Sequence, residues 1–388
     1  MSERAFDIVV YGASGFTGRL VAEYLNARYQ GDDSVKWAMA GRNADKLASV
    51  RSEMGIADDV ALIVADGDDE ASLKAMAIQT KAIITTVGPY QMYGEKLVAV
   101  CAKTGTDYLD LCGEPAWMRQ MIDAHAASAG ASGARIVFSA GFDSIPFDLG
   151  VWLLQQRCIA ETGKPSARIR GRVRKMQGTF SGGTAASMKA TMAAARDPEI
   201  LALLRNPFSL VPGYEGADQP HGNKPMFDEA VGSWVTPFIM APINTRNVHR
   251  SNALLDFAYG KDFVYDEMLM TGPGEKGESI AKALADRDSM ASDDGPKPGE
   301  GPSKEERENG HYDVLFVAET DQGPIRLGVT GDRDPGYGST SKMISEAAIC
   351  LVNDCPDVAA GIWTPAAAMG QKLIDRLVAN AGLTFEFE

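Results

Sequence analysis

Apolar positions in the first 150 residues switch between two periods. Six short apolar runs, Phe6–Tyr11, Val35–Ala40, Val60–Ala65, Ala82–Val87, Tyr108–Leu111 and Arg135–Ala140, have the length and composition of buried strands. Between them the spacing changes to that of helices. Phe16, Leu20, Val21, Tyr24 and Leu25 share one face, and helices are predicted from about Asn43 to Met54, over Gly94–Lys103 and over Ala116–Ala127. Strand and helix in strict alternation predict a parallel sheet with crossover helices. Six strands fit a doubly wound nucleotide-binding fold.

After Gly141 the rhythm changes. Phe147–Gln156 reads as a helix, and Ala167–Val173 opens an irregular β-rich region with one further helix at Ala186–Ala195. Tyr312–Glu319 and Ile325–Thr330, joined by Asp321-Gln322-Gly323-Pro324, predict a hairpin. Gly272–Gly310 is polar and rich in Gly and Pro, so it is expected to be a mobile loop. Within it, Ser303 and Glu306 predict a capping box on one short helix. The tail returns to helix at Ser341–Val352 and Pro365–Asn380. The expected division is residues 1–150 for the nucleotide-binding domain, 151–331 for the β-rich domain and 332–388 for C-terminal helices.

With 388 residues, 45% of them hydrophobic, the chain can bury cores for two domains without disulfides. Lys+Arg 38 against Asp+Glu 52 leaves a net charge of −14, which argues against nucleic acid or an anionic bilayer as the main partner. No apolar stretch is long enough for a membrane span, and the N-terminus lacks a signal-peptide core, so a cytoplasmic protein is expected. Peripheral association with lipid and a homodimer both stay open. The five cysteines form no CxxC pair and the four histidines are scattered, so no metal site is expected and the thiols read as reduced.

The chemistry concentrates at strand ends. Gly12-Ala13-Ser14-Gly15-Phe16-Thr17-Gly18 lies between the first strand and the first helix, where glycines permit a tight turn, close approach to a pyrophosphate and close helix packing. The free N–H groups and dipole of the helix start favour an anion there. The second strand ends at Arg42, where an NAD site places an acid. A guanidinium can instead fork onto a 2′-phosphate, with Ser14 and Lys46 nearby, so NADP is expected over NAD. Asp66, after the third strand, lies where an adenine edge would sit, and reads equally as a cap or turn residue.

Gly88-Pro89-Tyr90 ends the fourth strand and places Tyr90, and less firmly Tyr93, near a nicotinamide. Tyr90 reads as a proton or oxyanion donor, or equally as a ring packed under its loop. Glu114 follows the fifth strand and Asp143 the sixth, so both open on the same crevice as candidates for proton transfer or for ordering the cleft. Ser144 reads first as a helix cap, a role that Asp143 fits too. Cys112 reads as packing. Ser181-Gly182-Gly183-Thr184 reads as an anion site or a plain cap, and Trp152, Trp234, Met188 and Met192 as core or an apolar pocket.

Seven segments together resemble the saccharopine dehydrogenase-like oxidoreductases, in the branch that contains the trans-acting enoyl reductases of lipid biosynthesis. They are GASGFTGRLVAEYL from Gly12, WAMAGRN from Trp37, VGPYQMYGEKLV from Val87, DYLDLCGE from Asp107, SAGFDSIPFDLG from Ser139, GDRDPGYGSTSKMISEAAICL from Gly331 and TPAAAMGQKLIDRL from Thr364. GFDSIP and GDRDPGYG are far more specific than the glycine pattern. The resemblance implies an α/β fold in which a Rossmann sheet carries an inserted β-rich α+β domain and C-terminal helices return to the first domain. It implies an NADPH-dependent oxidoreductase acting on an enoyl thioester, as a small molecule or bound to an acyl carrier, in lipid or polyketide metabolism. Imine reduction of the saccharopine type and a non-catalytic NADP-binding module are the alternatives.

Overall fold

The computed structural model describes residues 4–32, 34–286, 297 and 299–388. Strands β1 (Phe6–Tyr11), β2 (Trp37–Gly41), β3 (Ala61–Val64), β4 (Thr80–Thr85), β5 (Asp107–Leu109) and β6 (Arg135–Val137) form a parallel sheet in the order β3-β2-β1-β4-β5-β6. Helices cover both faces, which is why Ile8, Val9 and Val10 are all fully buried although successive side chains point opposite ways. The doubly wound sheet expected from the sequence is present.

A second sheet takes β7 (Arg168–Gln177), β8 (Met226–Asp228), β9 (Ser233–Pro237), β10 (Val264–Gly272), β11 (His311–Ala318) and β12 (Ile325–Gly331). It is mostly antiparallel, with β7 and β10 paired in parallel. The expected hairpin is β11–β12, with Tyr312 opposite Gly331. The tail completes both sheets. β13 (Gly361–Trp363) adds a seventh parallel strand beside β6, and β14 (Leu383–Phe387) pairs with β12. Neither strand was expected. The helix Thr340–Ile349 packs on the helix Phe16–Tyr29, where Glu346 accepts hydrogen bonds from Tyr24 and Tyr29, each at 2.6 Å.

Two expected boundaries move for identifiable reasons. β5 and β6 end early because the buried Asp110 carboxylate accepts from the N–H groups of Cys112 (3.0 Å) and Ser139 (2.9 Å), drawing both chains out of the ladder. The expected loop 272–310 contains a helix, Gly274–Ala285, packed on β9 and the end of β10, with the small buried residue Gly277 set against Gly272 and Ala281 against β9. Thr236 Oγ1 donates to Ala281 O at 2.9 Å and fixes it there. Ser303 and Glu306 form the expected capping box on the helix Lys304–Asn309. The remainder of the expected loop, residues 287–296 and 298, lies outside the described residues. Among the described residues no helix is long and apolar enough to cross a membrane.

Candidate active site

The turn after β1 is built for close approach. Gly12 has φ +87°, and a Cβ there would come within 2.7 Å of Val87 Cγ2. A Cβ on Gly18 would lie 2.1 Å from the carbonyl oxygen of Gly12, so the first helical turn rests directly on the loop. Gly15, exposed and with ordinary φ, stands before the helix Phe16–Tyr29. That helix has no side-chain cap and no acid in its first turn. Its leading N–H groups therefore face outward with the positive end of the dipole, which fits a pyrophosphate. Ala13 is buried, while Ser14, Phe16 and Thr17 are half-buried around the turn.

Ser14 Oγ lies 3.7 Å from where a Cβ on Gly41 would be, beside the end of β2. Arg42 follows, exposed, with no hydrogen bond or ion pair among the described residues. Asn43 caps the next helix through Lys46 N at 2.8 Å, so Arg42 is not needed there. Asp66 is an exposed turn residue accepting from Asp68 N at 3.0 Å, and Asp69 caps the following helix. Burial and the Asp66 carboxylate push the Tyr11 phenol up while Arg42 pulls it down, so both flank the same hydroxyl.

At the end of β4, Gly88 and Pro89 lead into the short helix Tyr90–Tyr93. Tyr90 is buried against Trp117 and donates to Thr85 O at 3.2 Å, while Leu111 N donates to its hydroxyl at 3.1 Å. The phenol thus ties the ends of β4 and β5 together. Both of its hydrogen-bonding capacities are committed to backbone, which is the packing arrangement. Glu114 is also committed, its two carboxylate oxygens accepting from Tyr90 N and Gln91 N, each at 2.9 Å. Burial pushes the Cys112 thiol up, an inert environment for a nucleophile. Tyr93 is exposed.

Asp143 differs from both. Its carboxyl makes no hydrogen bond or ion pair among the described residues, and Oδ2 lies 3.7 Å from where a Cβ on Gly113 would be. Burial pushes it up to about 7. Ser144 stands at the cap position of the helix Ile145–Thr162 without capping it. Its Oγ accepts instead from Asn247 Nδ2 at 2.8 Å, and Asp143 does not cap either.

The structure adds residues that sequence reading did not single out. Asp334 accepts from Tyr337 N (3.0 Å) and Gly338 N (2.7 Å), fixing the GDRDPGYG turn. The Tyr337 hydroxyl accepts from Ser181 N and pairs with Thr184 Oγ1 at 2.9 Å. Its ring meets Phe16 edge-on, with centroids 5.2 Å apart. Burial pushes the Tyr337 phenol up, with Asp143 contributing. Ser181 also caps the helix Gly182–Ala194, the plain reading of that motif. This helix lies across the end of β4, with Gln91 Nε2 donating to Thr191 Oγ1 at 3.4 Å. Met192 on it is exposed, not core. The GDRDPGYG motif itself was the available signal for Tyr337, but only contacts across the fold reveal what it touches.

The glycine turn at an uncapped helix N-terminus and the unpartnered carboxyl beyond a neighbouring strand fit a dinucleotide-dependent oxidoreductase. Residues 8–137 match the model of the saccharopine dehydrogenase NADP-binding domain. A Mycobacterium tuberculosis (strain H37Rv) protein with the provisional name trans-acting enoyl reductase is 40% identical over 413 residues, covering 99% of this chain and 97% of its own. The trans-acting enoyl reductase of Mycobacterium ulcerans is 37% identical over 408 residues, covering 97% and 96%. In fold, the chain is similar to the L-Glu-forming saccharopine dehydrogenase of Saccharomyces cerevisiae, with a TM-score of 0.56, 11% identity and 99% of each chain covered. The chain belongs to the trans-acting enoyl reductase family of saccharopine dehydrogenase-like oxidoreductases, and its cofactor is NADP(H).

Proposed function

We propose that this oxidoreductase reduces the α,β double bond of an enoyl thioester, carried on a small thiol or on an acyl carrier, with Asp143 as the proton donor. The unpartnered Asp143 carboxyl beyond the end of β6, beside Gly113 and pushed up to about 7 by burial, carries the reading. Bound NADPH supplies the hydride. The N–H groups at Phe16–Gly18 seat its pyrophosphate, and Ser14 and Arg42 receive the 2′-phosphate. Asp143 delivers a proton to the α carbon of the enolate, a transfer that a carboxyl near its own pKa at neutral pH performs in either direction. Tyr90 and Glu114 hold together the loops that follow β4 and β5. The names of the mycobacterial relatives support the enoyl substrate.

The test follows NADPH absorbance with enoyl, keto and imine-forming substrates, comparing wild type with Asp143→Asn. Turnover confined to enoyl thioesters, reduced about 10²- to 10⁴-fold in the variant, is expected. Turnover only with imines would replace the reading. Calorimetry should show NADPH binding more tightly than NADH, with the difference lost in Arg42→Ala; equal affinities in the wild type would remove Arg42 from the site.

A further inference from the structure

Phe16 opens the first helix, so its ring stands beside the N–H groups that seat the cofactor phosphates, and it is clasped by distant parts of the chain. A Cβ on Gly301 would fall 2.4 Å from the ring, so the backbone at 301 lies directly on it. Tyr337 meets it edge-on, and the Arg307 guanidinium carbon lies 5.9 Å from its centroid. Glu300 O accepts from Gly182 N at 3.1 Å, joining the same clasp to the helix that crosses β4.

Arg307 is unusual within that group. It is half-buried, its Nη1 donates to Pro302 O at 2.7 Å, and it makes no ion pair among the described residues. One acid, Asp334, lies within electrostatic reach, but its carboxylate is committed to Tyr337 N and Gly338 N and forms no ion pair with Arg307. In a chain of net charge −14, a guanidinium held against the ring of Phe16 and making no ion pair among the described residues has donors in reserve for an anion.

We propose that Arg307 is a second phosphate-binding residue, reaching the cofactor pyrophosphate from outside the Rossmann sheet and completing a site whose 2′-phosphate end belongs to Arg42. The inference rests on the glycine turn seating the pyrophosphate. It divides the cofactor between two arginines, one for each phosphate position.

The experiment measures binding, not turnover. NADPH and adenosine 2′-monophosphate, which keeps the 2′-phosphate but lacks the pyrophosphate, are titrated into wild type, Arg42→Ala, Arg307→Ala and Arg307→Lys. Arg307→Ala should weaken NADPH by about tenfold, less at high salt, and leave adenosine 2′-monophosphate unchanged. Arg307→Lys should recover part of the loss, and Arg42→Ala should weaken both ligands. Retained monophosphate binding also shows that Arg307→Ala is folded. Unchanged NADPH affinity in Arg307→Ala, or an equal loss of both ligands, overturns the proposal while leaving the glycine-turn reading intact. A wild type that binds the monophosphate and NADPH equally well overturns both.

Discussion

Asp143 and Glu114 follow neighbouring strands and look interchangeable as sequence, yet their surroundings assign them different work. Glu114 receives two backbone N–H groups. Removing it in Glu114→Ala strands one buried and one half-buried donor, and thermal or urea unfolding should show a loss of about 1–3 kcal/mol. Asp143 has no such partners, and burial alone pushes it up to about 7. As a proton donor it must be protonated, so kcat should fall as pH rises through about 7, and Asp143→Asn should abolish that limb. A flat wild-type profile between pH 6 and 8 would deny Asp143 the role. The residue types and their strand-end positions were legible in the sequence. Which carboxyl is free was not, because Glu114 is satisfied by N–H groups on the preceding strand's loop and such pairings leave no local pattern.

At the scale of elements, the phosphate turn and first helix are the most legible part, because each glycine answers a steric demand. Gly18→Ala would set a methyl 2.1 Å from the oxygen of Gly12 and must push the helix off the turn. Gly15→Ala meets only that oxygen, at 3.2 Å. Titration should therefore find NADPH binding lost in Gly18→Ala and reduced more mildly in Gly15→Ala; the reverse order would contradict the packing described. The helix Ala241–Leu254 was invisible for the opposite reason. It buries Asn244, Arg246, Asn247, His249, Arg250 and Asn252, so it shows no apolar stripe. These groups are tolerated because most find partners, as Arg250 does on Leu210 O (2.6 Å) and Ile362 O (2.7 Å). The helix Gly274–Ala285 escaped notice because it docks through glycine and alanine, which carry little hydrophobic signal.

For the whole molecule, alternating periods revealed the parallel sheet, whereas its seventh strand is three residues long and shows no period at all. The tail matters more than its modest length suggests. Leu383 is buried, and β14 covers the edge of β12 over five paired positions. Deleting residues 383–388 should lower the unfolding midpoint and shift the protein toward larger species on size-exclusion chromatography, because an uncovered edge invites pairing with another chain. An unchanged midpoint and elution volume would make β14 dispensable.

The shared tail also has a consequence for synthesis. Ile362 pairs with Ile136 and Phe385 with Val329, so each sheet waits for a strand synthesised well after its neighbour. At about 5–20 residues per second, the nascent Rossmann sheet spends on the order of ten seconds with β6 as an open edge. A message truncated between Gly331 and Gly361 would release a polypeptide with both sheets unsealed, prone to associate with its copies before a chaperone or protease disposes of it.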